Sequence, residues 1–151
     1  GHGVLRDWWT AEDTAKFNAQ AKIYGAEFAA IDFADAPGMH IKPENTMGEN
    51  IADLGGLLMA LDAYHVSLHG KPAPVIDGLT GDQRVFLGFA QVWRSKFQPD
   101  ALKRQLASNP HSPGQARAST AIRNIDAWYD AFGVKPGDKL YIPPEKRARI
   151  W

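Results

Sequence analysis

Between Met47 and Leu68 the sequence sets Leu54, Leu57, Leu58, Leu61, Tyr64 and Leu68 at the three- and four-residue spacing of one helical face, with Gly70 just past the end. A helix of this length with a single apolar face must bury that face against other elements, so the rest of the chain is read for partners. A first helix is predicted from Thr10, which can cap it, to about Ala30; Glu12 and Asp13 favour its positive end, and Phe17, Ala21, Tyr24 and Phe28 form its stripe. A third opens with Thr80 and Gln83 as a capping box and continues through Phe86, Phe89, Ala90, Trp93 and Phe97, with deep burial expected. Short helices are predicted over Pro99 to Ala107 and Ile125 to Phe132, the latter ended by Gly133. The segment from Ile31 to Glu44 is predicted as a loop with a short extended piece at Met39–Ile41, residues 109–114 as a loop, and the tail from Leu140 as too proline-broken for a long helix. The fold expected is one all-α unit over residues 1–151 with long loops.

Composition removes several function classes. With 17 Lys+Arg against 17 Asp+Glu the net charge is zero, which argues against a broad footprint for nucleic acid or an acidic membrane. There is no cysteine, so disulfides, thiolate metal sites and cysteine nucleophiles are excluded and any metal ligands must be His, Asp or Glu. The longest apolar run, Leu54 to Leu61, contains two glycines and falls short of the ~20 residues a membrane span needs. The opening Gly1-His2-Gly3-Val4-Leu5-Arg6 has no signal-peptide core and no initiating Met, and reads as a processed, cloned or cleaved end.

The stretch Gly48-Glu49-Asn50-Ile51-Ala52-Asp53-Leu54-Gly55-Gly56 breaks the rules of a good helix, since each interior glycine costs about 1 kcal/mol relative to alanine. Glu49 and Asp53, four apart, project from one face with Gly56 a further turn along. Two readings stay open: a site that another helix approaches closely, or a solvated acidic edge with glycines for packing. His111, between Pro110 and Ser112-Pro113-Gly114, sits on a rigid turn, and Arg117 follows six residues later; together they can hold an anionic or polarised carbonyl group, although a lone loop His is more often a surface residue. His65 and His69 have the spacing of a helical metal pair, but Val66 stands where H-E-x-x-H has Glu, and the pair reads as solvent-facing.

Four stretches in order make the chain resemble the zinc metallopeptidases of the neprilysin and endothelin-converting-enzyme type. They are Leu5-Arg6-Asp7-Trp8-Trp9-Thr10; Gly48 to Gly56; Asp77-Gly78-Leu79-Thr80-Gly81-Asp82-Gln83-Arg84 with Phe89-Ala90-Gln91-Val92-Trp93; and His111-Ser112-Pro113-Gly114 with Arg117. The closing Pro144 to Trp151 is similar to the family's C-terminus. Ala116 stands where relatives commonly carry Phe, and Ala148 replaces a Cys of secreted animal relatives, as in a bacterial-type member. The resemblance implies the helical C-terminal portion of a thermolysin-like (gluzincin) catalytic domain. It implies that Glu49 is a zinc ligand, that Asp53 holds a zinc-bound His by its other ring nitrogen, that His111 donates to the oxyanion and that Arg117 grips the substrate.

None of His2, His40, His65, His69 and His111 is followed by Glu, so the family's H-E-x-x-H, with two zinc ligands and the general base, is expected upstream. The implied function is zinc-dependent cleavage of oligopeptides on the amino side of apolar residues, in a periplasmic, extracellular or cell-surface setting. One zinc ion, the N-terminal remainder of the same protein as partner, and inactivity and self-association of this chain alone are expected with it. The alternatives are a non-catalytic helical binding or scaffold module derived from the peptidase fold, and a nicked enzyme whose fragments stay together.

Overall fold

Thr10 opens the first helix as its side chain accepts from Asp13 N at 3.0 Å. The computed structural model describes residue 3 and residues 5–150; Gly1, His2, Val4 and Trp151, and with them part of the reading of the two ends, lie outside the described residues. Among these there are six α-helices: α1 (Ala11–Ala29), α2 (Pro43–Ser67), α3 (Gly81–Val92), α4 (Pro99–Ser108), α5 (Gly114–Ile122) and α6 (Asp126–Phe132), followed by a 3-10 turn at Pro144–Lys146. The all-α expectation holds: apart from one isolated bridge between Ile76 and Leu79, β pairing is absent from the described residues, and Met39–Ile41 forms no strand.

The long helix α2 is the centre of the packing and touches α1, α3 and α5. Leu54, Leu57 and Leu61 are buried, whereas Leu58, Tyr64 and Leu68 are half-buried where the helix leaves its partners. It begins a turn earlier than predicted, because Pro43 stands at its first position, where the missing N–H costs no hydrogen bond. Gly25 of α1 makes the room: a Cβ there would lie 3.0 Å from Pro43 Cβ. At α3 the capping box forms as expected, Thr80 N donating to Gln83 Oε1 at 2.9 Å and Gln83 N to Thr80 Oγ1 at 3.3 Å. That helix ends at Val92 rather than near Phe97, and only Gly81 and Phe86 are buried, so the deep burial expected of it is absent. It packs against α2, α5 and α6, and Trp93 follows as its C-cap residue.

Helix α5 was not expected. Its buried residues are Gly114, Ala116, Arg117, Thr120 and Ala121, small or polar side chains that leave no apolar period to read. Small size is what the packing demands: a Cβ on Gly114 would lie 2.5 Å from Trp93 O. After α6, closed by Gly133 at φ +62, the tail folds back over α5 and α6. Asn124 organises it, donating from Nδ2 to Thr120 O (3.0 Å) and Glu27 Oε2 (3.1 Å) while accepting from Ala148 N (2.6 Å). The Arg147 guanidinium stacks on the Tyr129 ring at 3.5 Å, and Arg147 and Arg149 both hold Asp126, whose carboxyl lies below its ordinary range through the Arg149 hydrogen bond first.

Two consequences can be measured. Gly114→Ala forces Trp93 and Gly114 apart and lowers stability by about 1–3 kcal/mol, read as a fall in the urea midpoint at unchanged slope; an unshifted midpoint would show that the contact yields freely. Glu27, with Oε1 buried and unpaired, has its carboxyl pushed up to about 7, by burial against the opposing pull of Asn124 and Arg123. Because the folded chain then holds a proton that the unfolded chain releases near 4.5, the contribution of this one group is fully present below about 4.5 and is lost, by about 2–3 kcal/mol, as pH rises through 7. Glu27→Gln should flatten this part of the profile and stabilise the chain at pH 8; an unchanged slope between pH 5 and 8 would assign it to other groups.

Candidate metal centre

Glu49 and Asp53 lie one turn apart on α2 and therefore face the same neighbour, the start of α5 and the loop before it. Arg117 of α5 meets Asp53 in a bidentate pair, Nε to Oδ2 at 2.5 Å and Nη2 to Oδ1 at 2.8 Å, with both side chains 9% exposed. Trp93 covers one face of the guanidinium, its ring centre 3.7 Å from Arg117 Cζ. The solvated acidic edge that spacing allowed is thus not what Asp53 forms. Glu49 is different: its carboxylate is half-exposed, with Oε2 at 3.2 Å from His111 Nε2 and 3.8 Å from Arg117 Nη2. All four residues singled out from the sequence, Glu49, Asp53, His111 and Arg117, thus come together.

What holds His111 in place was not visible in the sequence. Asn109 Oδ1 accepts from His111 N at 2.8 Å and lies 3.2 Å from His111 Nδ1. The backbone N–H can only donate, so this amide atom is the oxygen and calls for a proton on Nδ1. Gln105 of α4 donates to His111 O at 3.2 Å. Behind the loop, Ser112 Oγ donates to Asn50 Oδ1 at 2.8 Å, Asn50 Nδ2 to Thr46 Oγ1 at 3.1 Å, and Thr46 Oγ1 to Lys42 O at 3.3 Å. This chain of buried hydrogen bonds pins the loop to α2. Its one readable sign was a polar Asn50 beside the leucine face; nothing in the spacing joins positions 50 and 112.

Among the described residues no group of three or more His, Cys, Asp or Glu is placed to hold a metal ion. The His65 and His69 pair does not form one: both are exposed, and His65 Nε2 meets Asp82 Oδ1 of α3 at 2.7 Å. Beside Glu49 and Asp53, where a second helix was expected to pack closely, α2 bears an open, mostly apolar groove of about 580 Å³ lined by Ile51, Ala52, Gly55, Gly56, Leu58 and Met59 together with the carboxylate-bearing Asp62. A Cβ on Gly56 would meet nothing within 4 Å, and Met59 is 69% exposed.

The profile of Peptidase family M13 matches residues 1–148. Human neprilysin is 35% identical over 153 residues, covering 99% of this chain and 20% of neprilysin. The neutral endopeptidase of Lactobacillus helveticus is 33% identical over 150 residues, covering 99% of this chain and 21% of that protein. Among solved structures, zinc metalloprotease Zmp1 of Mycobacterium tuberculosis in complex with an inhibitor superposes with a TM-score of 0.94 at 49% identity, over 99% of this chain and 23% of that one. The chain therefore spans about a fifth of the length of the relatives it matches (20% of neprilysin). By the match of residues 1–148 of its 151, the chain belongs to Peptidase family M13.

Proposed function

We propose that these residues are the C-terminal part of the catalytic domain of a zinc-dependent endopeptidase. In this reading Glu49 is one zinc ligand, and Asp53, His111 and Arg117 complete the site. The observation that carries the reading is the convergence of Glu49, His111 and Arg117, with Glu49 Oε2 at 3.2 Å from His111 and 3.8 Å from Arg117. The donor chemistry fits zinc in part: Glu49 offers a half-exposed carboxylate oxygen, and a His-His-Glu site needs two imidazoles from elsewhere. The apolar groove beside Glu49 suits a helix that carries them, the expected H-E-x-x-H segment.

Bound zinc supplies Lewis acidity and lowers the pKa of water. The chain's own residues do the rest. With Nδ1–H engaged by Asn109 Oδ1, His111 can donate from Nε2 only as the doubly protonated imidazolium, and in that form it is placed to donate to a carbonyl oxygen as negative charge develops on it, where a fixed donor is worth most. Arg117 is locked by Asp53 on one edge and Trp93 on its face, and its Nη1, which makes no hydrogen bond among the described residues, is free for a peptide carbonyl. Each Asp53 oxygen keeps a further lone pair for the ring N–H of a zinc-bound His. Oligopeptides cut on the amino side of apolar residues, a periplasmic, extracellular or cell-surface setting, and self-association of the free piece through its open groove belong to the same proposal. Among the described residues no helix is long and apolar enough to cross a membrane.

The 151-residue chain by itself should show no chelator-sensitive peptide hydrolysis and only weak zinc binding by calorimetry; turnover by this chain alone would overturn the assignment of the missing parts. In the full-length protein, Glu49→Gln should lower zinc content after dialysis. Retention of stoichiometric zinc would remove Glu49 from the ligand set, whereas absence of zinc from the wild-type protein would favour a non-catalytic module. Asn109→Ala should lower kcat by about tenfold with zinc content intact, and unchanged kcat would mean that His111 needs no such support.

A further inference from the structure

A second cleft, about 710 Å³, is lined in part by His111 and does not include Glu49 among its walls. Phe97, Ala101, Arg104, Gln105, Pro110 and His111 form its main walls. His111 is thus shared: its Nε2 faces Glu49 at 3.2 Å, while the residue also lines this cleft. The Gln105–His111 hydrogen bond at 3.2 Å fastens α4 to the loop, so Arg104, the next residue on a regular helix, is held at a set place beside the site rather than on a mobile arm.

The electrostatics of this cleft are one-sided. No carboxylate lines it, and Arg104 takes part in no ion pair among the described residues. The acid nearest in sequence, Asp100, is taken by Lys103 at 3.4 Å. Among the residues that line the cleft, Arg104 is the one Lys, Arg, Asp or Glu. A half-exposed Phe97 supplies an apolar wall, and an unpaired guanidinium beside such a wall attracts and orients a carboxylate.

We propose that Arg104 is a specificity-determining residue, and that the cleft between α4 and His111 receives a carboxylate of the peptide substrate, from an acidic side chain or a free C-terminus. The proposal rests on the peptidase reading above. It is tested in the full-length zinc-loaded protein with matched peptides that differ only in Glu against Gln at successive positions and in a free against an amidated C-terminus. Wild type should favour one carboxylate-bearing peptide about three- to tenfold in kcat/KM, the range an exposed ion pair supports, mostly through KM, and the preference should shrink at high salt. The position of the favoured carboxylate tells side chain from terminus. Arg104→Gln should bring the ratio to about one, Arg104→Glu should invert it, and Arg104→Lys should keep most of it. A ratio near one in wild type, or a preference unmoved by Arg104→Gln, overturns the subsite while chelator-sensitive cleavage of the neutral peptides leaves the peptidase reading standing. Absence of any cleavage by the zinc-loaded protein overturns both.

Discussion

The buried pair of Asp53 and Arg117 is the contact on which the geometry of this protein depends. Two charges taken out of water are costly, and such a pair holds only where the partners meet closely and their remaining hydrogen-bonding edges are cared for. Here the match is bidentate, and the Trp93 ring takes the place of water on one guanidinium face. Trp93 reaches that position because α3 ends at Val92 and Gly114 carries no Cβ to keep the Trp93 carbonyl away. Losing one member would leave the other charge buried alone, a change worth about 3–5 kcal/mol. The pair therefore fixes how α5 lies on α2, and every neighbouring polar contact inherits that register.

Two of those contacts turn register into a chemical surface. The Ser112–Asn50–Thr46 chain ties the loop before α5 to the α2 backbone, and Asn109 with Gln105 orients His111 on top of it. Glu49, one turn before Asp53, is left half-exposed, and its ion-pair partners among the described residues are His111 and Arg117. A half-exposed carboxylate thus stands at the rim of this polar cluster, on the same helix that bears the open groove of about 580 Å³. At the far end, Asn124, Asp126 and the stacked Arg147 hold the tail against α5 and α6, so the platform is braced from behind.

Legibility followed the physics of each element. The α2 leucine face, the Thr80–Gln83 box, Pro99 at the head of α4 and Gly133 at the end of α6 are local signals, each carried within one helix or its cap, and each helix they mark is present, although only Leu54, Leu57 and Leu61 of the α2 face are fully buried. Helix α5 left no such trace, because a helix wedged against other backbone needs small residues and one buried charge, not a stripe of large apolar ones. The early end of α3 was equally hidden, since it is decided by where Trp93 must go. Of the site, Glu49, Asp53, His111 and Arg117 were found from the ordered motifs of a known family, whereas Asn109, Asn50, Trp93 and Gln105 act across gaps that no spacing rule spans.

The sequence by itself determined an all-α chain of neutral net charge, without thiol chemistry, carrying the ordered motifs of an M13 peptidase. Composition, helical period and motif order are properties of the chain, and folding does not alter them. Only the tertiary structure decided that Asp53 is spent on Arg117, that Glu49 stays open, that Asn109 governs the His111 ring and that Arg104 stands unpaired in a cleft beside it. Each of these depends on distances between side chains far apart in sequence, which are fixed when α5 and its loop settle on α2 and not before.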